Sequence, residues 1–343
     1  MWEMIGIRNC SDPEACRALW ETLWPRECLF DLWPVRACFF RHFPHSPAFF
    51  VAEEEGRPSG LLALSRIEEQ GIYVQFPGET WKGRTWLEQN RIPASRPSVA
   101  AALLEHCPGP LSLRYLTFES LPPLSPRAEP LSDETDYLFI PDRYGCDFEN
   151  YWGGFPGKTR RQWEREIGRL EAMGVTWRLD CFSDLETLLS LNLRSFGEDS
   201  YFRDPRFLRA FEALADWLRS RGMARLTTIL VGGRVAAVDF GGLYGDRCTI
   251  LAGGTDREFP GIAKLINLHH IRRACGERLK SLDFLCGDFG WKERFRLTPR
   301  PLFRVDTRGA EIFPEPRTGA GIGSGAGPLR AAAQGPDFPC PCP

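Results

Sequence analysis

Arg225-Leu-Thr-Thr-Ile-Leu-Val231, Gly232-Gly233, Arg234-Val-Ala-Ala-Val-Asp-Phe240, Gly242-Leu-Tyr-Gly-Asp246 and Arg247-Cys-Thr-Ile-Leu-Ala252 follow one another in the chain. Three short apolar or alternating runs, each rich in Val, Ile, Leu and Thr, read as strands. Two-residue Gly-Gly and a Gly-containing link between such runs signal tight antiparallel hairpins. Downstream, Gly253-Gly254 reads as the start of a loop, a helix is expected over Pro260–Cys275, and Leu282–Leu285 and Leu302–Val305 read as further strands.

Upstream, Lys158–Met173 has the pattern of a strong helix. Trp163, Ile167 and Leu170 share one face and Arg161, Arg165 and Arg169 the opposite one. Gly174 suits the position just past its end. Val175–Leu179 reads as a strand, and helices follow over Ser183–Phe196 and Pro205–Arg221. The second half thus reads helix, strand, helices, three antiparallel strands, helix, strand, strand.

A fainter version of this order occupies the first half. Residues 1–45 read as helical and aromatic-rich, with Asp12-Pro13 as a helix start. Ala48–Ala52, Gly60–Ser65 and Gly71–Phe76 read as strands, Ser98–Cys107 as a helix, and Leu111–Leu116 as another strand. Residues 119–145, rich in Pro, Asp and Glu, read as a connection or an irregular strand region. The similar order implies an internal structural duplication. The Gly/Ala/Pro-rich segment 314–343 cannot bury enough apolar surface to offset its ordering entropy, so disorder is expected there.

The 343 residues carry 43 basic and 45 acidic side chains, a net charge of −2 that excludes a globally basic nucleic-acid binder. No stretch is apolar for long enough to span a bilayer, and the N-terminus lacks the basic start and apolar run of an export signal, so a cytoplasmic protein is expected. The 12 cysteines show no zinc-ligand spacing; Cys340 and Cys342 have no second pair nearby.

The residues that could carry chemistry lie in two segments. Gly253-Gly254-Thr-Asp-Arg-Glu-Phe-Pro-Gly261-Ile-Ala263-Lys264 runs into a helix, whose exposed N–H groups and dipole suit a phosphate, although a glycine there is often structural. Asp283-Phe-Leu-Cys-Gly287-Asp288-Phe-Gly-Trp291-Lys292-Glu-Arg294-Phe295 sets a polar cluster at the end of a strand, which could equally be a solvated turn. Asp239 interrupts an apolar strand, where a carboxylate is costly unless paired. It could orient or deprotonate an amine, or serve as a salt-bridged structural group. The Arg161/Arg165 stripe could contact an anionic acceptor or form a solvated face beside Glu164 and Glu166. His269 and His270 suit packing roles in the middle of a helix, and no Ser-His-Asp or Cys-His order suggests a nucleophile.

On these features residues 147–305 are similar to the acetyltransferase domain of the GNAT superfamily in CelD/BcsL-type proteins, related to the FemAB peptidoglycan-bridge transferases. The resemblance rests on the Arg-rich helix, the strands of 225–252, Pro260-Gly261-Ile-Ala263, and Asp283 to Gly287 followed by Trp291-Lys292. The first half resembles the degenerate first repeat of the same proteins.

The resemblance implies an α+β fold of two GNAT-like repeats, each a largely antiparallel mixed sheet flanked by helices. Its expected divisions are 1–146, 147–313 and the tail 314–343. It implies direct attack of an amine on an acyl-CoA, most simply acetyl-CoA, with no permanently bound cofactor and no metal. Gly261, Ile262 and Ala263 would present N–H groups to the CoA pyrophosphate and Lys264 would add charge. Asp239 and Lys292 would be catalytic, and Arg161, Arg165, Asp288 and Trp291 would bind the substrate. Glu258 stands where the usual signature has Gln or Arg. The acceptor would be a small amine or glycan, such as an amino sugar or an envelope precursor. Two alternatives are aminoacyl transfer from a charged tRNA and a catalytically silent glycan- or partner-binding scaffold.

Overall fold

The computed structural model describes residues 5–120, 130–287 and 290–307. The first half runs β1 (Gly6–Cys10), α1 (Pro13–Leu23), α2 (Trp33–Phe40), β2 (Ser46–Glu54), β3 (Arg57–Ile67), β4 (Ile72–Gln75), α3 (Pro97–His106), β5 (Leu111–Leu116) and β6 (Leu131–Phe139). After α4 (Phe148–Gly153) and α5 (Gly157–Ala172), the second half repeats this order. It comprises β7 (Val175–Leu179), α6 (Leu185–Phe196), α7 (Pro205–Ser220), β8 (Ala224–Val231), β9 (Arg234–Tyr244), β10 (Arg247–Thr255), α8 (Ile262–Gly276), β11 (Ser281–Cys286), α9 (Trp291–Arg294) and β12 (Thr298–Asp306). The expected α+β architecture of two GNAT-like repeats is therefore present.

All twelve strands join one sheet, in the order β1-β2-β3-β4-β5-β12-β6-β11-β10-β9-β8-β7. Each half pairs antiparallel except at one place: β4 runs parallel to β5, and β10 parallel to β11. Both parallel pairs have a helix as crossover, as parallel neighbours require. The halves exchange their last strands: β12 pairs with β5 of the first half, and β6 with β11 of the second. β6 and β12 also pair with each other at the centre. The expected boundary at 146/147 falls beside Asp147, whose side chain caps α4 by accepting from Glu149 N at 2.8 Å, but the sheet runs through it unbroken.

Helices cover both faces. In the first half Phe49, Val51, Leu61 and Ala63 meet Trp20 and Trp33, while Phe50, Leu62 and Leu64 on the alternate face meet Val99 and Leu103 of α3. In the second half Ile229, Val231 and Ala237 pack under Leu170 of α5 and Ile262 and Ile266 of α8. α6 and α7 cover the reverse face. Burying this apolar surface is the main stabilising term, at about 25 cal/mol per Å².

Two sequence expectations are corrected, and a third is decided between its two readings. Residues 6–10 form a strand rather than part of a helical segment; β1 is a five-residue edge strand paired only to β2, too short for a clear alternation. Gly253 and Gly254 are inside β10, which extends to Thr255. They lie there because α6 comes close: a Cβ on Gly254 would sit 2.6 Å from Leu191 Cβ and 2.9 Å from the Leu188 carbonyl. Within 119–145 the chain forms β6, a central strand whose acidic residues are ion-paired: Asp133 with Arg114, and Asp136 with Arg300. The 314–343 tail lies outside the described residues.

Candidate active site

β10 and β11 pair only from Arg247↔Ser281 to Thr249↔Asp283, and beyond that no pairing joins them. At the end of β10 the short link 256–261 turns into α8. Gly261 occupies its N-cap position at φ 89°, a left-handed conformation that glycine adopts without steric cost. Having no side chain, it leaves the helix start uncapped. The Gly261 carbonyl takes the N–H groups of Lys264 (3.0 Å) and Leu265 (3.2 Å), and Ile262 N donates to Phe259 O. The N–H groups of Gly261 and Ala263 have no partner among the described residues.

A cavity of about 580 Å³ opens over this helix start. One wall is α5, with Thr159, Gln162, Trp163 and Glu166; the floor is Thr255 and residues 259–264; the far wall is Trp291 and residues 293–296. Across it Lys264 Nζ donates to Glu166 Oε2 at 2.5 Å, and Gln162 Nε2 donates to Glu166 Oε1 at 3.0 Å. Partial burial opposes ionisation of Glu166, but the hydrogen bonds from Lys264 and Gln162 hold its carboxyl below the usual range. Phe155, Trp163, Phe295 and Trp291 form a continuous aromatic wall, with successive ring centroids 5.3, 4.8 and 5.5 Å apart. The Trp291 indole N–H is buried and has no hydrogen-bond partner among the described residues.

The structure brings Gly261, Ile262, Ala263, Lys264 and Trp291 to this cavity. It does not bring Arg161, Arg165, Asp239 or Lys292 there. Arg161 and Arg165 lie on the exposed face of α5, where Arg165 donates to the Arg161 carbonyl. Asp239 is buried beneath α8, with Oδ2 2.9 Å from His270 Nε2. Its Oδ2 is met by a histidine rather than an arginine, and its Oδ1 is buried with no hydrogen-bond partner among the described residues. His269 stacks on Trp177, with centroids 4.2 Å apart; burial and the neighbouring His270 lower its pKa to about 4. Asp288 lies outside the described residues. Glu258 points away and pairs with Arg234 at 2.7 Å, so it does not confront a phosphate at the helix start.

Lys292 departs most from expectation. It is fully buried, and its ammonium donates to three main-chain carbonyls of β11: Phe284 (3.0 Å), Leu285 (2.7 Å) and Cys286 (2.9 Å). The single turn of α9 points it into the sheet instead of into the cavity. Leu285, between those carbonyls, has φ 59°, a strained value for a non-glycine residue.

Sequence reading missed a buried polar cluster behind β11. Glu88 accepts from Cys286 N at 3.0 and 3.1 Å and from its thiol at 2.8 Å. Gln89 Nε2 donates to Asp283 Oδ2 at 2.7 Å, and Arg300 pairs with both Asp136 and Asp283. Burial and the nearby Asp136 push Asp283 up to about 8. The carboxylate inside the strand Leu282–Leu285 was the available signal.

Residues 157–293 match the family model described as an acetyltransferase (GNAT) domain. Among solved structures the chain is similar to FemX, with TM-score 0.56 and 11% identity over 88% of this chain and 97% of that one. It is also similar to a conserved protein of unknown function from Bacteroides thetaiotaomicron, with TM-score 0.52 and 14% identity over 88% and 99%. A third is L-PGS from Bacillus licheniformis, with TM-score 0.50 and 11% identity over 87% and 92%. No curated protein matches significantly. The fold is that of tandem GNAT-like repeats, and the match to the acetyltransferase model lies in the second half. Among the described residues no helix is long and apolar enough to cross a membrane.

Proposed function

We propose that the second half is an N-acyltransferase of the CelD/BcsL kind that takes its acyl group from acyl-CoA, acetyl-CoA in the simplest case. The observation that carries this reading is the uncapped start of α8. Two unpartnered N–H groups, Lys264 and the helix dipole converge at the floor of a cavity large enough for a cofactor-sized ligand. The diphosphate of CoA fits this donor set, and Gly261 lets it approach the backbone. The cavity reaches the end of β10 at Thr255, where the pantetheine arm would run.

The acceptor amine attacks the thioester carbonyl. The new C–N bond forms, the tetrahedral species collapses with cleavage of the C–S bond, and CoA leaves as a thiolate that takes its proton from water. The enzyme supplies position and proton removal, and needs no covalent intermediate. Glu293 lines the cavity from α9, and its carboxylate has no partner among the described residues. It is the group we assign to accept the amine's proton. The acceptor we propose is a small amine or an amino sugar.

The test is release of free thiol from acetyl-CoA over a panel of primary amines and amino sugars. Glu293→Gln should lower turnover by about 100-fold, the usual worth of a general base, with acetyl-CoA affinity unchanged. Gly261→Asp sets a carboxylate where the diphosphate lies and should weaken acetyl-CoA binding by at least about tenfold. A folded Gly261→Asp protein with wild-type affinity would place the donor site elsewhere.

A further inference from the structure

We infer that Glu88, carried by the first half, is a positioning residue for the site in the second half: it fixes the end of β11, whose Phe284 packs against Trp291 of the cavity wall. The inference rests on the acyl-CoA reading of the cavity for its functional consequence, but its structural basis is independent of that reading.

A strand that leaves its neighbour must satisfy its main-chain N–H and C=O groups in another way. β11 does so with two buried charged side chains acting from opposite sides. Lys292 takes the carbonyls of Phe284, Leu285 and Cys286, and both oxygens of Glu88 take the Cys286 N–H. Between these two grips Leu285 is held at φ 59°. Glu88 and Lys292 are each at most 1% exposed. Trp291, which precedes Lys292, packs edge-on against Phe284 at 5.6 Å and forms the cavity's far wall. A shift in β11 therefore moves that wall.

Only Lys292 belongs to the second half. Glu88 comes from the link between β4 and α3, and the adjacent Gln89 anchors the same link on Asp283. Burial, the Asp136 charge and the Asp283 charge hold the Glu88 carboxyl well above its ordinary range, whereas the Cys286 donors oppose that shift. An acceptor oxygen is present in either protonation state, so the grip needs the carboxyl's shape more than its charge. A glutamine retains that oxygen.

Glu88→Ala, Glu88→Met and Glu88→Gln separate positioning from simple packing. Two quantities are read: hydrogen exchange of the 281–287 segment, and acetyl-CoA affinity by calorimetry. Glu88→Ala should speed exchange there and weaken acetyl-CoA binding by about tenfold, within the usual range of coupling between sites. Glu88→Gln should restore both. If Glu88→Ala does not fold, Glu88→Met keeps the volume and removes the acceptor, and it should behave as stated for alanine.

Faster exchange with unchanged affinity makes Glu88 a structural residue only and overturns the inference. So does unchanged exchange. If the wild-type protein binds no acetyl-CoA, the donor assignment fails. The exchange measurement then still decides whether Glu88 holds β11.

Discussion

The two halves solve one problem in two ways, and the difference shows which half has room for a ligand. Each contains a parallel strand pair that joins for a few residues and then parts: β4 with β5 at Tyr73 and Val74, and β10 with β11 at Arg247 to Thr249. Each diverging strand bends at its fifth residue with a positive φ, 56° at Tyr115 and 59° at Leu285. In the first half the long link 76–96 threads back into the gap. Asn90 N donates to Tyr115 O at 2.8 Å, Asn90 Nδ2 to Arg114 O at 2.7 Å, and Thr117 N to Asn90 O at 3.1 Å. On its other side Leu61 N donates to Pro93 O at 2.8 Å.

The second half has no such insert. Its link 256–261 is short, one lysine satisfies the carbonyls, and the cavity lies alongside. A main-chain plug fills space as it satisfies hydrogen bonds, whereas a side-chain ammonium satisfies them from behind and leaves the front open. The plug has a second use, since its residues Glu88 and Gln89 reach across to β11.

The largest expected effect follows from removing the ammonium. Lys292→Met should strand three buried carbonyls and cost about 3–5 kcal/mol, read as a lower urea midpoint, because each unsatisfied buried group costs about 1–3 kcal/mol. Asn90→Ala keeps the main-chain bonds of the plug, removes the side-chain bonds from Nδ2 to the Leu87 and Arg114 carbonyls, and should cost about 1–3 kcal/mol. Its acetyl-CoA affinity should stay at the wild-type value. Loss of affinity in Asn90→Ala would mean that the first-half gap as a whole, and not Glu88 alone, controls the donor site.

A smaller effect concerns pH. The raised value of Asp283 means that the folded protein keeps a proton between about pH 4 and about pH 8 that the unfolded chain has released. The folded state binds more protons in that window, so this group's contribution makes stability fall as pH rises through it. Asp283→Asn should flatten the decline in chemical-denaturation midpoint between pH 6 and pH 8, by about 1 kcal/mol or more over that range. An unchanged slope would show that the cluster behind β11 does not hold the proton at Asp283.

The sequence reveals the frame of the second half through local rules. Gly232 and Gly233 sit at φ 58° and 79°, as the tight β8–β9 hairpin requires, and Gly261 marks the start of α8. Both are turn positions where a residue type and a backbone conformation are tied together. The first half is legible in element order but not at its ends: β1 is a five-residue edge, and β6 hides in a Pro- and acid-rich segment because its charges are paired across the sheet.

The residues proposed to bind the donor, Gly261 to Lys264, are visible because they are consecutive. Lys292 was visible as a charge but not in its direction, since one turn of helix decides whether it faces solvent or the sheet. Glu88, Gln89, Asp136 and Arg300 carry no local signature. Glu88 and Cys286 are 198 residues apart and meet only because the sheet brings the halves together. Asp239 illustrates the same limit, as its partner His270 lies on a different element.

Titration of the 343-residue chain with acetyl-CoA, followed by calorimetry, tests the contrast between the halves most directly. The account predicts one binding site per chain, lost or weakened at least about tenfold in Gly261→Asp and unchanged in Asn90→Ala. Two sites per chain, or one site indifferent to Gly261→Asp in a folded protein, would contradict it.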